Sequence, residues 1–517
     1  MELALKAFLL AACAFNFVVQ TLYFTHMMQL NSYRNERYRQ WLRKNDAKLA
    51  DVRHLLPGLL LPAMYLPNKA LCYGLGGAML VLTAILNWPK KAKKPLVFTP
   101  RVRRLLATQY LLLAVVIVAG ALLGYMRCVG IVALFSLIHW AWTWLANTIN
   151  TPMEKAIAGG YEKDARRRLE ERPDLTVIGI TGSYGKTSTK TFLQALLAVR
   201  YNVLMTPESY NTTMGVVRTI RERLTPSHQI FIAEMGAKNP GDIREICELV
   251  HPTYGILTSI GEQHLETFRT IDNIIATKFE LADAIPEEGC LFLNVDNAYI
   301  RAHAVSVPTV TYGTGETAAD YTATQVTVDA QGSSFTLTAP NGESRRFTTK
   351  LLGAHNIQNL AGCIAVAHRF GIPLEELVYP VRMLKPVEHR LQLLPNGFID
   401  DAYNSNPAGF RGALEVLAGF DAQRVLVTPG MVELGDRQEA LNRELGEYAA
   451  SRCDYAVLVG IKQAPPLKEG LLAGGFPEEK IFVAETLQQG LAHLQGLPTD
   501  PGRPRIVLLE NDLPDNF

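Results

Sequence analysis

One stretch constrains this fold more than any other: Val177-Ile178-Gly179-Ile180-Thr181-Gly182-Ser183-Tyr184-Gly185-Lys186-Thr187-Ser188. A short apolar strand runs into a glycine-rich turn, and a helix opening with Lys-Thr follows. Backbone N–H groups in such a turn point inward and cradle phosphate oxygens, and the helix N-terminus adds its dipole. A lysine here reaches the β/γ-phosphates, and the hydroxyl after it can hold magnesium. Gly182, Ser183, Tyr184, Gly185, Lys186, Thr187 and Ser188 are therefore the expected cradle of a nucleoside triphosphate. The spacing is shorter than G-x-x-x-x-G-K-[ST], because position 180 is Ile and the nearer glycines are Gly179 and Gly182.

The first 150 residues have another character. Residues 7–28, 105–126 and 129–149 are apolar runs of about bilayer length, and 70–88 is a further one. Pro57, Pro62 and Pro67 interrupt the apolar segment 55–67. Trp88, Trp140, Trp142 and Trp144 lie toward run ends, where interfacial rings are common. Basic clusters at 34–48, 90–104 and 166–168 all favour the cytoplasmic side. They agree if 55–88 enters and leaves on one side as a re-entrant hairpin, and if 105–126 and 129–149 form a helical hairpin about Arg127. The expectation is a multi-span region in the cytoplasmic membrane (1–150), a linker (151–174), and a catalytic part in the cytoplasm, where ATP is found. A formal net charge of +2 argues against a general nucleic-acid binder. Seven scattered cysteines without a C-x-x-C pair fit a reducing compartment, with neither a disulfide framework nor a zinc site.

From Leu175 apolar strands alternate with helical patterns. Strands are expected at 175–180, 229–234, 255–259 and 290–294, with helices at 186–200, 212–224, 241–250 and 271–284. Such alternation predicts a parallel, doubly wound α/β sheet. Residues 307–350 alternate residue by residue, with turn signals at Gly332 and Asn341-Gly342, and predict a small antiparallel excursion. Strands near 397–401, 424–428, 455–459, 480–484 and 505–509 predict a second, Rossmann-like domain. The boundaries follow as 175–384 and 385–517, and a cleft between the two domains is the expected ligand site.

Glu234 ends the second of these strands, where a magnesium ligand belongs beside a phosphate loop. His264 lies just past the next strand end, and its place in this array favours a ligand over a structural histidine. Lys278 is by itself an ordinary helical lysine. Asn356 and Asn359, in Gly353-Ala354-His355-Asn356-Ile357-Gln358-Asn359, could read a purine edge, but a cap is the simpler reading. The run from Asp400 and Asp401 through Tyr403, Asn404, Ser405 and Asn406 to Pro407 offers contacts to ribose, magnesium or phosphate, or else a capped helix start.

In this order the segments resemble the Mur ligase family, the ATP-dependent amide ligases of peptidoglycan precursor synthesis. The resemblance covers roughly 175–460 and rests on T-G-S-Y-G-K-T-S (181–188), S-Y-N-T-T-M-G-V (209–216), E-M-G-A…P-G-D-I (234–243), I-G-E-Q-H-L-E (260–266), T-K-F-E (277–280), L-N-V-D (293–296), G-A-H-N-I-Q-N (353–359) and D-D-A-Y-N-S-N-P (400–407). Its motifs look most like the branch that adds D-alanyl-D-alanine to a UDP-muramoyl tripeptide. The resemblance implies that ATP phosphorylates an acceptor carboxylate and that an amine then displaces phosphate. It implies that Lys186 holds the β/γ-phosphates, that Thr187 and Glu234 bind one Mg2+, and that His264 binds a second with Lys278 as a carbamylated lysine. It sets Asn294, Asn356 and Asn359 near adenine, and Arg390 and Asp401 on the nucleotide's phosphate or ribose. Asn211 and Thr212, with Asn404 and Asn406, would lie toward the substrates.

Two departures bear on partners. The membrane region stands where the family carries its UDP-sugar-binding domain, which favours a lipid-linked or polymeric acceptor at the bilayer. The family's K-G-S-R segment is replaced by Leu509-Glu510-Asn511-Asp512, so the amino acid or dipeptide amine donor is expected to differ. Two other readings stay open: a poly-γ-glutamate-type synthetase, and a non-catalytic ATP-binding membrane scaffold.

Overall fold

The structure, a computed structural model, describes residues 2–44, 68–88, 94–122, 124–125, 131–132, 134, 138–208, 210–315, 317–403, 405–432, 434–461, 464–498 and 502–512. It separates into two compact units at Gly159–Gly160. The first is helical, with helices Glu2–Leu30, Asn35–Lys44, Lys69–Leu86 and Pro100–Leu122 and the start of His139–Glu170. Leu/Ala/Val-rich runs account for Glu2–Leu30, Lys69–Leu86 and Pro100–Leu122, and Asn68 caps Lys69–Leu86 by accepting from the Leu71 N–H at 3.2 Å. Among the described residues, Glu2–Leu30 and Pro100–Gly120 are long and apolar enough to cross a membrane, while Ala70–Leu86 is apolar but shorter.

Buried polar side chains link these helices. Thr21 and the His139 ring share a hydrogen bond of 3.0 Å. Gln109 donates to Thr25 (2.9 Å) and accepts from Thr143 (2.9 Å). The expected span 129–149 departs from expectation: its described helix begins at His139 and runs to Glu170, so most of the expected linker is helical. Pro152 lies inside that helix, and the Thr148 and Thr151 hydroxyls donate back to the Trp144 and Asn147 carbonyls (both 2.8 Å). The turn at Arg127 and the proline-broken segment 55–67 lie outside the described residues.

The second unit holds two sheets. Strands β1 (Thr176–Thr181), β2 (Val203–Met205), β3 (Ile230–Glu234), β4 (Tyr254–Leu257), β5 (Cys290–Asn294), β6 (Thr309–Gly313), β7 (Tyr321–Asp329), β8 (Gly332–Thr338) and β9 (Ser344–Thr349) run in the order β2-β3-β1-β4-β5-β6-β7-β8-β9. Pairing is parallel from β2 through β7 and antiparallel only for β7-β8 and β8-β9. The expected antiparallel excursion therefore begins later than the sequence suggested. β6 and β7 extend the parallel sheet, and the chain reverses only around the turns near Gly332 and Gly342.

Side chains on the parallel strands are buried on both faces. Ile178, Ile180, Ile230 and Ile232 pack with helices Lys186–Leu197 and Ala354–Arg369. Val177, Phe231 and Ala233 pack on the other side with helices Thr213–Arg223, Asp242–Val250 and Ile271–Asp283. Period-two alternation within unbroken apolar runs is what a sheet covered on both faces requires.

The second sheet joins β10 (Gln392–Leu393), β11 (Phe398–Asp401), β12 (Gln423–Thr428), β13 (Tyr455–Val459), β14 (Ile481–Ala484) and β15 (Arg505–Glu510) in the order β10-β11-β15-β12-β13-β14. All its pairs are parallel except β10-β11. In the first sheet strand order reverses at β1, whose neighbours are β3 and β4. Doubly wound sheets bind ligands outside the C-terminal strand ends at such a point, and the glycine-rich turn leaves β1 there.

Candidate active site

The turn after β1 is held from below by the chain leaving β4. The Ser183 N–H donates to the Ser259 carbonyl (2.7 Å), and the Tyr184 N–H donates to Ser259 Oγ (3.0 Å). Ser183 Oγ donates to the Gly261 carbonyl (3.0 Å), and the Tyr184 hydroxyl donates to the Glu262 carbonyl (2.8 Å). Gly182 (φ 152°) and Gly185 (φ 80°) supply backbone that L side chains rarely adopt. A Cβ at Gly182 would lie 2.1 Å from Thr258 Oγ1. One at Gly185 would lie 2.6 Å from Asn359 Oδ1, so Asn359 stands directly against the turn. Ser188 is buried in the first helical turn.

Lys186 curls back over the turn, its Nζ donating to the Gly182 (2.7 Å) and Ser183 (3.1 Å) carbonyls. Burial lowers its pKa to about 8 against the pull of Glu234, and Arg390 adds to the lowering. Glu234 ends β3 and is buried. Its Oε1 accepts from Thr187 Oγ1 (3.2 Å) and from Asn211 Nδ2 (3.1 Å), and its Oε2 is paired with Lys190 Nζ (2.9 Å).

This donor set fits magnesium. Adjacent ligands of an octahedral ion with bonds of about 2.1 Å lie about 3 Å apart, close to the 3.2 Å between Thr187 Oγ1 and Glu234 Oε1. Among the described residues no three His, Cys, Asp or Glu side chains converge on one point. An ion here would complete its shell with water and phosphate oxygens, as magnesium does beside nucleotides.

His264 ends the same loop that supports the glycine turn, with a φ of 52°, and opens the short helix Leu265–Phe268. Lys278 is buried on helix Ile271–Asp283. Burial, followed by the Lys186 charge, holds its ammonium well below the ordinary lysine range, while Asp242 and Glu280 oppose the shift.

The asparagines divide. Asn294 donates to the Thr258 carbonyl (2.8 Å) and accepts from the Asp296 N–H (3.1 Å). Asn356 donates to the Leu352 carbonyl (2.8 Å). Both side chains are buried and hydrogen-bonded to backbone groups. Thr212 and Asn406 are helix N-caps, accepting from the Gly215 (3.3 Å) and Gly409 (2.8 Å) N–H groups, so the capped-helix reading holds at Asn406. Asn404 lies outside the described residues.

From the second sheet Arg390 reaches back, its Nη2 donating to Thr187 Oγ1 (3.3 Å) and its guanidinium lying 4.3 Å from the Tyr403 ring centroid. A second contact between the sheets' domains pairs Arg437 with Glu262. Asp401 accepts from the Leu391 N–H (3.0 Å) and is the register partner of Glu510 across β11-β15. Loss of solvent pushes both carboxyls upward. Asp401 raises Glu510 further, with Ser405 (2.6 Å away) opposing; at Asp401 the hydrogen bond to Glu510, the Leu391 N–H and Arg390 oppose the shift.

Sequence reasoning missed Lys190, Arg437 and the Ser259 support. Lys190 carried one available signal, its place one helical turn beyond Lys186 on the same face.

Fold and site together define a nucleotide-binding α/β protein with a phosphate loop and an adjoining Rossmann-like domain. Residues 180–367 match the Mur ligase middle domain, and 389–507 match the Mur ligase, glutamate ligase domain. The chain belongs to the Mur ligase family. It is similar to the UDP-N-acetylmuramoyl-tripeptide--D-alanyl-D-alanine ligase of Bacillus subtilis (strain 168), 32% identical over 276 residues, covering 52% of this chain and 59% of that one. The Escherichia coli (strain K12) protein of the same name is 34% identical over 292 residues, covering 55% and 64%. The chain thus spans about three fifths of the length of these curated relatives. MurF from Acinetobacter baumannii superposes with a TM-score of 0.61 at 29% identity, over 68% of this chain and 77% of that one. A Thermotoga maritima MurF ligase, solved in complex with ADP, shares the fold at a TM-score of 0.61 and 24% identity, over 68% and 80%.

Two outcomes follow. Gly182→Ala drives a methyl into Thr258 and is expected to destabilise the second unit by about 2–4 kcal/mol, read by chemical denaturation. For Asp401 and Glu510, raised pKa values mean that stability is full below the ordinary carboxylate range and is lost as pH rises through the raised values. Glu510→Gln removes one charge and keeps an acceptor for Ser405. It is expected to stabilise by about 1–2 kcal/mol at pH 8 and far less at pH 4. Equal shifts at both pH values would contradict this.

Proposed function

We propose that the chain is an ATP-dependent amide ligase of cell-envelope synthesis. It activates a carboxylate on a muramoyl-peptide acceptor as an acyl phosphate and joins it to the amine of an amino acid or dipeptide. The observation that carries this is the convergence of Lys186, Thr187 and Glu234 at the β1 and β3 ends, with Arg390 reaching them from the other domain. Lys186, folded over the turn, is positioned to swing onto the β/γ-phosphates. The N–H groups at the start of helix Lys186–Leu197 and its dipole orient the triphosphate, and Arg390 adds charge where negative charge builds up during transfer. Mg2+ held by Thr187 and Glu234 would neutralise phosphate charge.

Lys278 serves as a carbamate in this reading. Burial favours its neutral amine, which would add to CO2 with loss of one proton; the anionic carbamate oxygen, together with His264, would then hold a second Mg2+. Asn359 lies against the phosphate turn, and Asn211 holds Glu234 at the acceptor side. The Lys190–Glu234 pair and the Arg390 contact favour an active ligase over a decayed scaffold, since both keep charged groups aimed at one point.

The helical unit anchors the ligase at the cytoplasmic face of the membrane. Leu111, Val115, Val118 and Leu122 form an exposed apolar stripe on helix Pro100–Leu122, which water would penalise and lipid would not. Sedimentation with membranes after alkaline carbonate, and release by detergent, checks this; a carbonate-soluble chain would refute it.

The ligation itself is tested with detergent-solubilised full chain, ATP, Mg2+, D-alanyl-D-alanine or single amino acids, and either UDP-muramoyl tripeptide or lipid-linked muramoyl peptide. Phosphate release and product mass are read together. Lys186→Ala is expected to lower both by at least about a hundredfold with an unchanged melting temperature; retained turnover would sink the role given to Lys186. Lys278→Ala should lose activity and regain part of it with added short carboxylates.

A further inference from the structure

We propose that Lys190 makes this site selective for magnesium over calcium by leaving Glu234 only one oxygen to offer. The inference rests on reading Thr187 and Glu234 as metal ligands.

Lys190 sits one turn beyond Lys186 on helix Lys186–Leu197, and its side chain is 1% exposed. It does not point to open solvent, and its Nζ is already engaged. It pairs with Glu234 Oε2 at 2.9 Å and donates to the Glu208 carbonyl. Glu234 is equally enclosed, at 1%. Its other oxygen, Oε1, faces Thr187 Oγ1 and Asn211 Nδ2. The backbone beneath is fixed as well, since the Glu234 N–H donates to Thr206 Oγ1 at 3.1 Å. Rotating the carboxylate would break a buried ion pair on one side and two hydrogen bonds on the other. The two oxygens therefore have fixed, different partners.

That asymmetry suits one ion over another. Magnesium takes six oxygens in a tight octahedron and uses a carboxylate through a single oxygen. Calcium takes six to eight at longer distances and readily uses both oxygens of one carboxylate. With Oε2 held by an ammonium, bidentate binding is closed and single-oxygen binding next to Thr187 stays open. Lys190 is thus a positioning residue, acting on the metal through Glu234. A lysine that merely balanced charge would strengthen or weaken both ions alike.

The test compares ADP binding in Mg2+ and in Ca2+ by calorimetry on detergent-solubilised full chain, for wild type and Lys190→Met. Wild type is expected to bind ADP more tightly with Mg2+. Lys190→Met, which fills the same space without charge, is expected to lower the Mg2+/Ca2+ preference about tenfold, the scale of outer-shell effects on metal sites. Equal losses with both ions, or an unchanged ratio, would overturn the proposal. If the variant does not fold, wild type still decides: no preference for Mg2+ over Ca2+ overturns it. Wild type failing to bind ADP with either ion would instead sink the nucleotide-site reading beneath it.

Discussion

The buried carboxylate of Glu234 is the interaction on which the rest of the site depends. It closes β3, and two separate pieces of chain bring three partners to it: Thr187 and Lys190 from the helix after the glycine turn, and Asn211 from the loop after β2. A charge enclosed at that depth is tolerable only when paired and hydrogen-bonded. Removing one partner from such a pair costs about 3–5 kcal/mol, a large share of a domain's net stability. The position of the helix relative to β3 is thus tied to the same contacts that shape the metal site. Folding the sheet and organising the site are one event.

Thr187 extends the network to the second sheet, because it is also the acceptor for Arg390. One hydroxyl therefore touches the carboxylate of one domain and the guanidinium of the other. Arg390 is held in turn by the Tyr403 ring and sits beside the Asp401–Glu510 pair. The Arg437–Glu262 pair joins the same two domains through the loop that supports the glycine turn. Movement between the domains would thus be felt at the phosphate turn through both contacts.

The elements that were legible in the sequence are those with a local cause. The glycine turn, the strands β1, β3, β4 and β5 and their helices follow from apolar runs, glycines and caps within a few residues. Residues 203–205 were not read as a strand because three residues carry no period. The switch from parallel to antiparallel came later than expected because alternation marks a strand and not the direction of its partner. Lys186, Thr187 and Glu234 could be named because a phosphate loop implies them. Lys190 could not, since its role lies in meeting a residue 44 positions away across two elements. Asn294, Asn356 and Asn406 each give their side chain to nearby backbone groups, and at Asn406 this is the capped helix start that the sequence also offered.

The charge balance explains why such a site is poised for a polyanion. Lys186, Lys190 and Arg390 gather around Glu234, Lys278 feels the charge of Lys186, and the clearest sign of their crowding is in the lysines themselves. Lys186 and Lys278 are both held below the ordinary lysine range, and each feels another cation in addition to burial. Lys186 donates to the carbonyls of its own loop, which are weaker acceptors than phosphate oxygens. Lys190 already has its carboxylate and cannot serve the nucleotide without abandoning it. A triphosphate would relieve Lys186 and Arg390 directly. The cluster of Lys186, Lys190 and Arg390 is therefore suited to a polyanion.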